Sequence, residues 1–222
     1  MTASALLVPG SWHGAWCYDG VAERLRGEGV DVTAIDLPSN DGRSGLADDA
    51  AAVRGALDAI GGPTVVVGHS YGGIAVSEGA AGSPHAVALV YLCAFMLASG
   101  QSLLDAMQHR LPDWIELDEA AGSHLARRTD EVLYADCAPD VAAAAAERLT
   151  RQSAAAIATP QTAAAWQDLP AAYLVCEEDR AVPPPVQEQL AARAGTVERA
   201  ASSHSPFFSK PDVVAELVLR AV

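Results

Sequence analysis

Thr64-Val-Val-Val67-Gly68-His69-Ser70-Tyr71-Gly72-Gly73 is the stretch that decides the architecture. Its first four residues are all β-branched, as a strand covered on both faces requires. Gly68-His69-Ser70-Tyr71-Gly72 then matches G-x-S-x-G, and a helical pattern follows over Ile74–Ala81. The spacing has a steric reason. A sharp strand-to-helix turn strains the backbone at its serine, and the flanking positions must lack side chains for it to close. The turn lifts the Ser70 hydroxyl clear of the sheet. It also sets the Tyr71 N–H at a helix N-terminus, where it can donate to a developing oxyanion. The competing reading is a glycine-rich turn in which Ser70 only caps the helix. The strand–turn–helix context favours the nucleophile.

Outward from this point the chain alternates. Ser4–Val8, Asp31–Leu37, Ala86–Phe95, Ala171–Cys176 and, more weakly, Thr196–Arg199 read as further strands. Helical patterns over Tyr18–Gly27, Leu46–Ile60, Val186–Ala194 and Asp212–Ala221 lie among them. The alternation predicts an α/β fold: a mainly parallel, doubly wound sheet of about six strands. Residues 98–169 break the rhythm. They hold helical pieces around Leu103–Arg110, Asp130–Cys137 and Val141–Thr150, no convincing strand, and too many residues for a connection. They are expected to form a small helical cap over the sheet's C-terminal edge, on a core made of residues 1–97 and 170–222.

Composition narrows the function classes. The chain has 222 residues, half of them apolar, which suits one domain with a sizeable core and excludes global disorder. A net charge of −14 and a pI near 4.6 oppose phosphate backbones and anionic lipid, so no nucleic-acid or membrane partner is expected. No apolar run approaches the length of a membrane span, and the first residues lack the basic region of a signal peptide. Cys17, Cys93, Cys137 and Cys176 form no CxxC pair, which leaves zinc and redox motifs unsupported. Reduced thiols fit a cytoplasmic location.

A serine hydroxyl needs a base. His204, in the loop between the last weak strand and the final helix, is the best placed of six histidines. His69 adjoins Ser70, but neighbouring side chains on such a turn diverge. His109 and His124, in the insertion, read as solvated. The base in turn needs a carboxylate to fix its tautomer. Asp179, just past the strand Ala171–Cys176, is the choice, with Glu178 as the alternative. The order Ser…Asp…His is that of α/β-hydrolases. The loop Pro9-Gly10-Ser11-Trp12-His13-Gly14 should bring a second oxyanion donor, the Ser11 N–H. His13 within it has two readings, a substrate contact or an internal hydrogen bond that holds the loop.

Five segments carry a family resemblance: Leu7-Val-Pro-Gly-Ser-Trp-His-Gly-Ala-Trp-Cys17, Asp36-Leu-Pro38, Val67-Gly-His-Ser-Tyr-Gly-Gly73, Leu174-Val-Cys-Glu-Glu-Asp-Arg180 and His204-Ser-Pro-Phe207. In order and content they resemble the α/β-hydrolase superfamily, closest to the branch of small plant methyl esterases and hydroxynitrile lyases with its bacterial relatives. The insertion matches weakly, through Leu133-Tyr-Ala-Asp-Cys137. The resemblance implies a triad of Ser70, Asp179 and His204 and an oxyanion hole from the Ser11 and Tyr71 N–H groups. Hydroxynitrile lyases of this branch typically carry Thr where Gly10 stands and Lys where Ser205 stands, so both positions favour ester hydrolysis. Pro9 replaces a frequent His. The chain starts almost at its first parallel strand, so the usual N-terminal antiparallel hairpin is not expected.

The expected activity is hydrolysis of a small, largely apolar carboxylic ester through an acyl-enzyme, with no metal or organic cofactor. Expected pocket walls are Trp12, Tyr71, Phe95 and Phe207, with Trp114, Leu133 and Trp166 from the insertion. A C–C lyase, a biosynthetic thioesterase or cyclase, and a ligand-binding protein with little turnover share the same motifs and remain as alternatives.

Overall fold

The computed structural model describes residues 3–222. Among the described residues nine strands occur in chain order: β1 Ser4–Val8, β2 Asp31–Ala34, β3 Thr64–His69, β4 Ala86–Leu92, β5 Ile115–Asp118, β6 Ser123–Ala126, β7 Gln152–Ser153, β8 Ala171–Cys176 and β9 Thr196–Ala200. Six of them form one sheet in the order β2-β1-β3-β4-β8-β9. Every neighbouring pair in it is parallel.

Both faces of this sheet are covered, and side-chain alternation assigns them. Leu6, Val8, Val66, Leu89, Tyr91 and Val175 point to one side. There they pack with Val53 and Leu57 of the helix Leu46–Ile60 and Ile74 of the helix Gly72–Gly79. Leu7, Val65, Val67, Val90 and Leu174 point to the other, against Val21 and Leu25 of the helix Asp19–Gly27 and Val214, Leu217 and Val218 of the helix Pro211–Ala221. Residues two apart share a face, so a strand with both sets buried reads as the continuous apolar run seen in the sequence. β2 stops at Ala34, three residues before the expected Leu37. Beyond it the Asp36 carboxylate accepts the Ala15 N–H at 2.7 Å, which turns this edge segment toward the loop after β1.

Strand order reverses between β1 and β3: the chain steps outward to β2 on one side and then continues from β3 on the other. Loops leaving the C-terminal ends of β1 and β3 therefore diverge and open a crevice. Val8 pairs with Gly68, so the Pro9–Gly14 loop and the Ser70 turn leave the sheet side by side.

The segment between β4 and β8 corrects the expectation of a helical cap. It contains a three-stranded antiparallel sheet in the order β5-β6-β7. Its helices, Leu103–Ala106, Thr129–Val132, Pro139–Ala146 and Ala154–Ala158, are four to eight residues long. The reason lies in Ile115-Glu-Leu-Asp118, which alternates apolar and polar residues. After it the chain turns back within four residues, Gly122 adopting φ +63°. A strand of four residues with two apolar side chains is too short to stand out in an Ala-rich background.

Candidate active site

Ser70 sits between β3 and the helix Gly72–Gly79 with φ +51°. A non-glycine residue in this region is strained and holds only where its surroundings over-determine it. Here packing does so. A Cβ on Gly72 would overlap the Pro9 carbonyl oxygen, and one on Gly68 would stand 2.8 Å from Val76 Cγ2. Trp12 (φ +66°) and Cys93 (φ +39°) are also left-handed, so three strained residues border this crevice.

The three expected triad members meet. His204 Nε2 lies 3.0 Å from Ser70 Oγ, and His204 Nδ1 lies 2.7 Å from Asp179 Oδ2. All three residues are buried, with 8 % of Ser70 exposed. Asp179, and not Glu178, makes this contact. Its carboxylate is filled: Oδ1 accepts the N–H groups of Ala181 (2.7 Å) and Val182 (2.9 Å), and Oδ2 accepts Gln187 Nε2 at 2.8 Å besides the imidazole. Four donors hold the Asp179 carboxylate in one orientation. Gln187 is wholly buried. It also donates to the Val182 carbonyl at 2.6 Å and accepts the Cys176 N–H at 2.9 Å, which ties the end of β8 to the acid-bearing loop.

The loop carrying His204 is fixed from below. His69 Nε2–H donates to the His204 carbonyl at 2.8 Å, and the Cys93 thiol donates to the same oxygen at 3.3 Å. Burial drives the His69 pKa well below its ordinary value, so this ring is neutral. His69 thus holds the His204 backbone, its Nε2 directed away from the Ser70 hydroxyl. Among the described residues, the one metal-type cluster is His69, Cys93 and His204, with ligand atoms within 4.8 Å of one another. Both His204 ring nitrogens already serve Ser70 and Asp179, and burial pushes the Cys93 thiol pKa well up. The cluster is a hydrogen-bonded support for the His204 loop.

The Ser11 and Tyr71 amides leave the adjoining ends of β1 and β3 and make no protein hydrogen bond among the described residues. The Tyr71 phenol points elsewhere: it donates to Asp49 Oδ2 at 2.6 Å, while Asp49 Oδ1 accepts the Ser39 N–H at 2.8 Å. Burial raises the Asp49 pKa. This pair pins the helix Leu46–Ile60 to the Ser70 turn. His13 takes the structural role of its two readings. Its Nδ1 faces the Ser11 carbonyl at 3.1 Å, and its Nε2 accepts the Tyr134 hydroxyl at 2.8 Å. Burial lowers its pKa to about 3, so it stays neutral and can donate from one nitrogen while accepting at the other. Trp12 is the pivot of the same loop. Its N–H donates to Asn40 Oδ1 (3.0 Å), its carbonyl accepts the Thr150 N–H (2.9 Å), and its indole donates to the His124 carbonyl (3.2 Å).

A cavity of about 40 Å³ lies over Ser70. Trp12, Phe95 and Trp114 line it, as expected, together with Ser11 and His204. Leu133, Trp166 and Phe207 do not. Leu133 lies behind Trp12 and Trp114 in their apolar cluster. Trp166 donates its indole N–H to the Leu97 carbonyl at 2.7 Å, fastening the end of the insertion to the core. Phe207 packs edge-on against His69 at 4.9 Å, under the base. Tyr71 is also outside the lining, its phenol being taken by Asp49. Leu103, Met107, Ile115, His124, Ile157, Ala181 and Val182 complete the wall and were not expected. His124, read as solvated, is buried at 1 % exposure.

The chain belongs to the alpha/beta hydrolase family, whose model matches residues 5–217. It is 34 % identical over 97 % of its length, and 95 % of the relative's, to the alpha/beta hydrolase nvfD of Aspergillus novofumigatus. It is 28 % identical over 96 % of its length to the pyrethroid hydrolase of Sphingobium wenxiniae, covering 85 % of that protein. The solved pyrethroid hydrolase of Sphingobium faniae superposes with a TM-score of 0.84 at 24 % identity over 99 % of this chain and 97 % of that one, a likeness of fold.

Proposed function

We propose that this chain hydrolyses small, largely apolar carboxylic esters through an acyl-enzyme on Ser70. One observation carries the reading: a strained serine, at φ +51°, within hydrogen-bond reach of an imidazole whose other nitrogen is held by a carboxylate. In this reading His204 takes the Ser70 proton as the hydroxyl attacks the carbonyl. The Ser11 and Tyr71 N–H groups receive the oxyanion. His204 then protonates the leaving alcohol, and the same ring activates water to release the acid. Asp179 stabilises the imidazolium and keeps Nδ1–H directed toward itself. Relatives named as hydrolases support this assignment.

Gly10 speaks against the lyase alternative. A Cβ there would stand 2.8 Å from Ser70 Cβ and 2.9 Å from His69 Nδ1, leaving no room for the Thr of hydroxynitrile lyases. Ser205, where those enzymes carry Lys, is wholly buried. Residues 98–169 act as the cap that selects substrate. The cavity beneath is small, about 40 Å³, so an ester enters as cap side chains give way. A reducing, cytoplasmic setting suits the four free thiols. No helix among the described residues is long and apolar enough to cross a membrane.

Turnover of short-chain and aryl esters in ¹⁸O-labelled water tests the reaction class. The reading predicts one labelled oxygen in the released acid. Product acid without label, or cleavage of a cyanohydrin to aldehyde and cyanide, would overturn it.

A further inference from the structure

His124 lies at the centre of the cap's small sheet, paired across it with Leu117 and Gln152. Its backbone needs are met: the strand ladder takes its place in the sheet, and its carbonyl also accepts the Trp12 indole. Its ring is different. Nδ1 and Nε2 are both buried and neither has a hydrogen-bond partner. The imidazole stands edge-on to Trp12 at 5.4 Å and forms part of the wall over Ser70, among Leu103, Met107, Ile115 and Ile157. Aromatic packing alone does not explain it, because Phe fills the same space without stranding two polar atoms.

We propose that His124 is a specificity residue that hydrogen-bonds a hydroxyl group on the apolar part of the ester cleaved at Ser70. The proposal rests on the esterase reading for the identity of the ligand. Burial lowers the His124 pKa to about 4, so at neutral pH the ring offers one N–H and one lone pair and no charge. A neutral ring in an apolar wall gives an anionic substituent no counter-charge. A plain hydrocarbon ester leaves both nitrogens unpaired. A hydroxyl can donate or accept, and so satisfies whichever nitrogen it meets. A substrate that carries the group gains a hydrogen bond to a site atom otherwise left unpaired, and one that lacks it gains none.

Binding to the Ser70→Ala protein, which cannot form the acyl-enzyme, tests this without turnover. The probes are methyl phenylacetate and its 2-, 3- and 4-hydroxy derivatives, with Kd measured by calorimetry. At least one hydroxy ester should bind about tenfold more tightly than the parent. In Ser70→Ala/His124→Phe that ratio should fall to about one. Ser70→Ala/His124→Gln keeps a donor and an acceptor and should restore part of the preference, which separates hydrogen bonding from a packing defect. Equal Kd values for all four esters, binding by none, or a preference that survives His124→Phe overturns the proposal. The Ser70 chemistry is read separately, from phosphonylation of the wild-type protein by a fluorophosphonate, so the two claims fail independently.

Discussion

At the C-terminal edge of the six-stranded sheet, Asp179 has four donors on its two oxygens, and His204 has a partner on each ring nitrogen. Across the same cavity, the cap presents an imidazole with no partner on either nitrogen. On the sheet side Asp179 and His204 are held by one another and by the surrounding donors, so little reorganisation of these two groups is left to the reaction, although His69 Nδ1 and Ser205 Oγ beside them have no partner. The cap side holds hydrogen-bonding capacity in reserve, as a surface does when its partner is a ligand. In the proposed reading chemistry and selectivity lie on different parts of the chain, and substitutions should separate them.

The largest effects belong to the sheet side. Ser70→Ala or His204→Ala should lower kcat by roughly 10⁴- to 10⁶-fold, measured on an aryl ester by stopped assay, with far-UV dichroism unchanged. Asp179→Asn should cost roughly 10⁴-fold, because the amide can present a donor to Nδ1 and favour the wrong tautomer. A near-native Asp179→Asn beside an inactive Glu178→Gln would move the acid to Glu178 and break the account of this side. Gln187→Leu removes one of the four donors and strands the Cys176 N–H. It should destabilise the fold by about 1–3 kcal/mol in urea titration and lower kcat about tenfold by loosening Asp179. Full activity with lowered stability would make Gln187 a purely structural residue.

A change in stability with no change in chemistry sharpens the comparison through pH. His13 and His124 have folded pKa values of about 3 and about 4, below the ordinary 6.5, and His69 is also shifted far down. Between those values and 6.5 the unfolded chain binds protons that the fold refuses. Stability is therefore full above pH 6.5 and falls as pH drops, by up to about 1.4 kcal/mol per pH unit for each histidine. His124→Phe should flatten the profile between pH 6.5 and about 4 and leave the slope due to the other two. An unchanged profile in urea unfolding at pH 7, 5.5 and 4.5 would mean that His124 is not kept neutral by the fold.

Burial on two faces explains what could be read from the sequence. Ser4–Val8, Leu46–Ile60 and Ala171–Cys176 have the same limits in the reading and in the structure, because each is bounded by Pro or Gly and carries an unambiguous apolar pattern. The crevice followed from the same patterns, since it gathers the loops after β1, β3, β8 and β9. Gln187 was hidden for a different reason. Its partners lie 5, 8 and 11 residues away across a turn, and no periodicity marks a polar residue that faces inward from a helix. Asp49 was hidden likewise, its partner Tyr71 arriving from another strand's loop. In the cap, strands of two to four residues carry too little pattern to set a register, so the residues that face the cavity could not be chosen. Of the three pocket residues expected from the insertion, Trp114 lines the cavity, while Trp166 and Leu133 face other parts of the protein.

Intact-protein mass spectrometry after treatment with a fluorophosphonate tests the central claim most directly. An activated Ser70 predicts a single adduct on the wild-type protein, and none on Ser70→Ala. No adduct on folded wild-type protein, or an equal adduct on Ser70→Ala, would contradict it.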